Sequence, residues 1–301
     1  MLHRTQKYII DLHKWRSITA LVACSITLIA TIYAIVSGLL EFRPDSRQAT
    51  SLFQYLTQNA NSLTALAAGL IIPYTIEGIR KKRFIYPKWL AVFHYSGAVT
   101  ISLVLVFSVC FMGAYDPAAA FGGQNFYLHI ICPVLVLASF FLVENDRHYT
   151  IRDSIFSLIP IAIYACVYTW EVGIVGPENG GWNDLYHVMD FVPFYFSGPA
   201  LIALSVGLSL GIRRISNLLL EVRRRKLMAE WKEDLLPVQV KVEVYGLGRH
   251  AGMKEEESDI SIPMDILTLL AQCYGMQKGE LLKIYARGVL DAVEEKEEKK
   301  K

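Results

Sequence analysis

The stretch "FQYLTQNANSL", residues 53 to 63, sets Thr57, Asn59 and Asn61 at the head of a long apolar run, and a second run, "LHIICPVLV", carries His129. A threonine hydroxyl becomes a useful nucleophile when a base takes its proton, and neutral histidine is the usual base near physiological pH. A carboxylate can hold such an imidazole in the productive tautomer, and asparagine amides can donate to a developing oxyanion. Asp190 and Glu171 are carboxylates available for orientation, and Asn61 is an amide available for either task. These are the residue types of nucleophilic ester hydrolysis. Each also has a plainer role. A lone intramembrane histidine can be a hydrogen-bonded packing residue, a threonine can bond back to its own helix, and carboxylates near a surface can simply be solvated.

Whether these residues meet depends on the elements that carry them. The chain has 301 residues, 53% of them hydrophobic and only 19% charged, which is too apolar for an ordinary soluble domain. Apolar runs long enough to cross a hydrocarbon core of about 30 Å recur along it. Hydropathy predicts an all-α polytopic bundle with spans near 16–40, 52–76, 89–114, 125–144, 153–175 and 188–212. "LVAC" at 21–24 loosely resembles a lipoprotein cleavage box, but the apolar run continues to Leu40, so this segment is expected to be a retained first span.

Positive charge then orients the spans. The head segment 1–15, the connection "EGIRKKRFIYPK" and the segment opening at Arg213 are basic, whereas "DPAAAFGGQN" and "GPENGGWNDLYH" contain no Lys or Arg. Both termini are therefore expected in the cytoplasm. On this orientation Thr57 lies about five residues below the outer end of the second span, roughly 7–8 Å at 1.5 Å per residue. His129 reaches the same depth on the fourth span. Asn59, Asn61, Asn125, Asp190 and Glu171 complete this outer layer, with Asn61 one turn below Thr57 on the same face. His94 and Glu144 sit near the inner ends of their spans, where snorkelling or an interhelical hydrogen bond would account for them. Trp89, Trp170, Trp182, Tyr86, Tyr127 and Tyr186 fall near span ends, as an interfacial aromatic belt would have them.

Beyond the spans, 213–236 reads as a basic amphipathic helix. Leu218, Leu219, Val222, Leu227 and Trp231 would face lipid, and its arginines would meet anionic headgroups. The remaining 237–301 is expected to be a small cytoplasmic α+β tail. "VQVKVEV" alternates as a strand would, two short helices flank Gly275–Gly279, and "EKEEKKK" is a solvated end. Such a tail is too small for an independent enzyme and suits a docking role toward a cytoplasmic protein partner.

Several function classes are disfavoured. The five cysteines are scattered without a CxxC pair, and no phosphate-binding glycine loop or metal-ligand cluster is present, so no metal and no cofactor is expected. The arginine cluster lies beside the membrane, which argues for lipid headgroups and against nucleic acid. No inverted repeat is visible between the halves, which weighs against a transporter. Two alternatives to hydrolysis stay open: a non-catalytic lipid-binding or transport protein using the same polar layer, and an anchor or sensor acting through its tail.

At these residues the sequence resembles the androgen-induced-gene family of six-span membrane proteins. "YLTQNANSL" is similar to its F-T-x-x-S-N element, "LHIICPVLV" to its histidine segment followed by proline, and "SLIPIAIYACVY", with Pro160 and Tyr164, to a pattern of its bacterial branch. The resemblance covers roughly residues 15–212. It implies both termini in the cytoplasm, a bacterial plasma membrane, and a threonine hydrolase of lipid esters such as fatty acid esters of hydroxy fatty acids. Thr57 would be the nucleophile and His129 its partner. Ala60 stands where the family has serine, and the tail beyond about residue 236 lies outside the pattern.

Overall fold

A computed structural model describes residues 2–41, 52–81, 86–144, 147–184, 194–234, 237–253, 267–268, 270–271 and 276–300. Among them every regular element is helical. Helix α1 is Leu2–Glu41, α2 Leu56–Lys81, α3 Lys88–Met112, α4 Gln124–Val143, α5 Ile151–Val175 and α6 Phe194–Asp234. Six apolar segments, one in each of these helices, are long enough to cross a membrane. Large apolar side chains stand exposed along α5 (Ile151, Ile155, Ile163, Trp170, Ile174) and α1 (Ile29, Tyr33, Leu40). Water would penalise so much contiguous apolar surface, whereas lipid does not. The protein is an integral membrane protein with a six-helix all-α bundle.

Five apolar segments lie close to their expected positions. The sixth, Pro199–Val222, overlaps the expected 188–212, whose first residues lie outside the described ones, and α6 runs on without interruption through the region assigned to a separate juxtamembrane helix. Arg213 and Arg214 thus fall within it.

The chain divides into two compact units, His13–Leu218 and the combination of Met1–Leu12 with Leu219–Lys301. Within the first unit, α3 is buried on all sides from Leu90 to Val104, apart from Val92 and Phe93. A helix apolar all round belongs at the centre of a bundle. Gly97 lets α2 approach: a Cβ there would sit 3.1 Å from the Thr64 methyl. The core stacks Tyr95 on Phe140, ring centroids 5.7 Å apart, with Tyr149 against both. Tyr95 donates to the Ser209 carbonyl at 2.5 Å and meets Ser154 at 3.2 Å, joining α3, α5 and α6 where lipid offers no competing partner. Near the two ends of the apolar segment of α1, Arg16 donates to the Val143 carbonyl (3.2 Å) and the Ala34 carbonyl accepts from Gln124 (3.1 Å).

The second unit corrects the expected strand. "VQVKVEV" lies in helix α7, Pro237–Met253, which packs on α8, Lys278–Lys300. Val240 and Val244 are buried while Val242 is 59% exposed, a helical rather than alternating pattern. Positions 240 and 244 satisfy both periods over so short a run. Leu247 and Ala251 extend the helical one, and they pack on the buried cluster that includes Leu281 and Tyr285. Glycine permits the closeness: a Cβ on Gly248 would fall 2.0 Å from the Tyr285 carbonyl oxygen, and one on Gly288 would fall 2.2 Å from that of Tyr245. The second tail helix is also long, carrying helical order through the lysine- and glutamate-rich end to Lys300.

Candidate functional site

Thr57 stands in the first turn of α2, reached through a 3-10 turn at Leu52–Gln54. Asn59 closes that approach, its amide donating to the carbonyls of Phe53 (2.7 Å) and Tyr55 (3.1 Å). Tyr164 of α5 donates to the Gln54 carbonyl at 2.7 Å, so the entry to α2 is held from two sides. His129 lies in a π-wound turn of α4, Tyr127–Ile131. Pro133 explains the winding: it has no N–H for the His129 carbonyl one turn earlier, and the helix widens where that bond is lost.

These two elements bring the expected pair together. Thr57 Oγ1 is 3.3 Å from His129 Nε2, with both residues buried at 8% and 5% exposure. His129 Nδ1 lies 2.8 Å from the carbonyl oxygen of Ala120, in the short turn Pro117–Phe121 between α3 and α4. A carbonyl can only accept, so Nδ1 carries the proton and neutral Nε2 presents its lone pair to the threonine. Thr57 therefore donates to His129. The contact is at the long end for a hydrogen bond, as catalytic contacts often are before substrate tightens them.

The orienting group thus differs from the one expected. A backbone carbonyl occupies Nδ1, the position foreseen for a carboxylate. Glu171 sits half-buried in a π-wound turn of α5, and its main-chain carbonyl accepts from Gly176 (3.1 Å) and Trp182 (3.2 Å). Its carboxylate makes none of the bonds around His129. Asp190 lies outside the described residues. Asn125 is exposed on the rim. Nothing in residue types could reveal Ala120, because every residue carries a carbonyl. The one available signal was the short "DPAAAFGG" turn a few residues before His129.

Asn61 is fully buried one turn below Thr57 and takes a role other than oxyanion donor. Its amide nitrogen donates to the Thr57 carbonyl at 2.8 Å and to the Leu128 carbonyl at 3.4 Å, bracing the backbones that carry the nucleophile and the base. Both protons are committed, and Oδ1 meets no donor among the described residues. Gln58, 3% exposed, also has an unpartnered Oε1, and no hydrogen bond fixes which way its amide points. A buried acceptor without a donor forfeits about 1–3 kcal/mol. Sequence reasoning passed over Gln58. Ala60 packs into the apolar core beside Leu56.

The His94 and Glu144 pair, at the other end of the same bundle, is hydrogen-bonded between helices. Glu144, fully buried, accepts from Tyr86, from Tyr149 (2.7 Å) and from His94 Nδ1 (3.3 Å), with Arg147 Nε 3.9 Å away. The Arg147 guanidinium lies 4.6 Å from the Tyr86 ring centroid. Tyr86, expected in an interfacial belt, is only 3% exposed. Burial, and then the Glu144 carboxylate beside it, push the Tyr149 phenol well above its ordinary pKa. No group of three or more metal-ligating side chains converges among the described residues.

The Thr–His–carbonyl arrangement suits proton transfer from an attacking hydroxyl. Comparison with known proteins adds nothing to this reading: the chain matches no family model, no curated protein and no solved structure.

Proposed function

We propose that this chain is an integral-membrane threonine hydrolase acting on lipid esters, of which fatty acid esters of hydroxy fatty acids are one kind. The observation that carries this reading is the buried contact of Thr57 Oγ1 with His129 Nε2, with Nδ1 pinned by the Ala120 carbonyl. Thr57 Oγ1 attacks the ester carbonyl carbon while its proton passes to Nε2. The tetrahedral oxyanion collapses, expelling the alcohol oxygen, which takes that proton back from the imidazolium. Water then attacks the acyl-threonine, His129 receives its proton, and cleavage frees the fatty acid and restores the hydroxyl.

Lipid is the natural route of access. Phe53, Phe126 and Tyr127, neighbours of the site along its two helices, are 48%, 41% and 47% exposed. With both termini in the cytoplasm, as the positive charge distribution suggests, the site opens to the outer leaflet of a bacterial plasma membrane. Arg214 and Arg225, both exposed, would engage anionic headgroups on the opposite side. The α7–α8 hairpin is left as a docking element for a cytoplasmic partner. The test is hydrolysis of long-chain esters by purified protein in liposomes. Activity present in the wild type and lost in both Thr57→Ala and His129→Ala supports the assignment; activity surviving in either variant removes it.

A further inference from the structure

The orphaned oxygen of Asn61 says something about the substrate that the Thr–His pair does not. The orientation of this amide is fixed, because its nitrogen lies against two carbonyls that only accept. Oδ1 is therefore the end left over, buried on a residue one turn from the nucleophile. Thr64, the next polar residue on this face, donates to the Asn61 main-chain carbonyl (2.9 Å) and offers Oδ1 nothing. Beside a nucleophile, a buried acceptor without a donor is a place where a hydroxyl brought by the ligand can bond.

We propose that Asn61 Oδ1 is a specificity subsite for a hydroxyl carried beside the scissile ester, so that the preferred substrates are lipid esters of polyols, such as partial glycerides. This rests on the hydrolase reading for its substrate role. Residues one turn apart on a helix are separated by about 5–6 Å between Cβ atoms. That span suits a hydroxyl on the carbon adjacent to the esterified one. A simple alkyl ester would bring a methyl group to the same oxygen and leave it unpaired.

The decisive pair of probes is 2-hydroxyethyl oleate and propyl oleate, which differ by a hydroxyl in place of a methyl. Their binding to purified Thr57→Val protein in detergent is compared by native mass spectrometry, since this variant keeps the shape of the site and cannot turn either ester over. The expected result is roughly tenfold tighter binding of the hydroxyl ester, equivalent to about 1.4 kcal/mol. Adding Asn61→Ala should reduce the ratio to within about twofold, as expected when a single neutral hydrogen bond is removed. Should that double variant fail to fold, Asn61→Ser serves, because its hydroxyl can bond back to the Thr57 carbonyl while Oδ1 is withdrawn. Equal binding of the two esters by Thr57→Val overturns the proposal and leaves Oδ1 to a buried water. So does a ratio that persists without Asn61. If the wild type hydrolyses neither ester yet the ratio holds and depends on Asn61, the hydrolase reading falls and the hydroxyl subsite stands.

Discussion

The two ends of the bundle handle buried polarity in opposite ways. At one end a full carboxylate, Glu144, is surrounded by two phenols, an imidazole and a guanidinium, and every contact ties one helix or linker to another. At the other end the Thr57–His129 pair is built of neutral groups, and two buried amide oxygens beside it, on Gln58 and Asn61, have no donor among the described residues. In lipid each unsatisfied group is expensive, so a carboxylate with both oxygens engaged is what a structural latch should look like, even though the Arg147 Nε beside it makes no hydrogen bond among the described residues. At the Thr57 end it is the acceptors that lack donors. Satisfaction of the buried acceptors, more than burial or residue type, separates the latch from the site.

Exchanging the roles of the two ends by mutation tests this contrast. His129→Ala should lower ester hydrolysis by about 10²–10⁴-fold, the usual contribution of a general base, and Thr57→Ala, which removes the nucleophile itself, by at least as much. Thr57→Ala should change thermal unfolding in detergent little, and His129→Ala, which leaves the Ala120 carbonyl without its donor, should cost about 1–3 kcal/mol; losses in both as large as that of Glu144→Ala would place the pair with the latch. Glu144→Ala should do the reverse, removing about 3–5 kcal/mol by leaving its partners buried and unpaired. Thermal unfolding followed by tryptophan fluorescence reads that loss, and unchanged stability with abolished hydrolysis would make the latch a second functional centre.

Tyr149→Phe samples the latch more gently, with an expected loss of about 1–3 kcal/mol for an acceptor deprived of one donor. Its pH signature has a definite sign. The folded phenol has a raised pKa, so its contribution is complete below the ordinary tyrosine value of about 10 and declines as pH rises above it. The variant should therefore lose stability less steeply than wild type between pH 10 and the folded pKa, and identical alkaline slopes would exclude Tyr149 from that linkage. Smallest of all, Gly97→Ala presses a methyl on Thr64 between the two ends. About 1 kcal/mol or less of destabilisation is expected from such slight overpacking, with hydrolysis retained.

What could be read in the sequence followed from physics that acts along the chain. Run length and polarity located five spans closely, because a bilayer imposes a minimum length on every crossing. The common depth of Thr57 and His129 was legible for the same reason, since rise per residue converts sequence position into depth once orientation is assigned. The separation of His94 and Glu144 from this layer was likewise visible, although their tyrosine partners were not. The misreadings share another cause. No boundary was to be found at Arg213, because α6 is uninterrupted there, and the valine alternation at 238–244 fits a helix face over so few residues. Ala120 was invisible because its contribution is a main-chain oxygen. The reversal of Asn61 from oxyanion donor to committed brace depends on where two carbonyls, Thr57 and Leu128, point in space.

The most direct measurement is to treat the purified protein with a lipid-like fluorophosphonate and locate the adduct by peptide mass spectrometry. A phosphonyl adduct on Thr57 is expected in the wild type and absent from folded Thr57→Ala and His129→Ala. A well-folded wild type that takes up no probe, or takes it up on another residue, would contradict the claim that His129 activates Thr57.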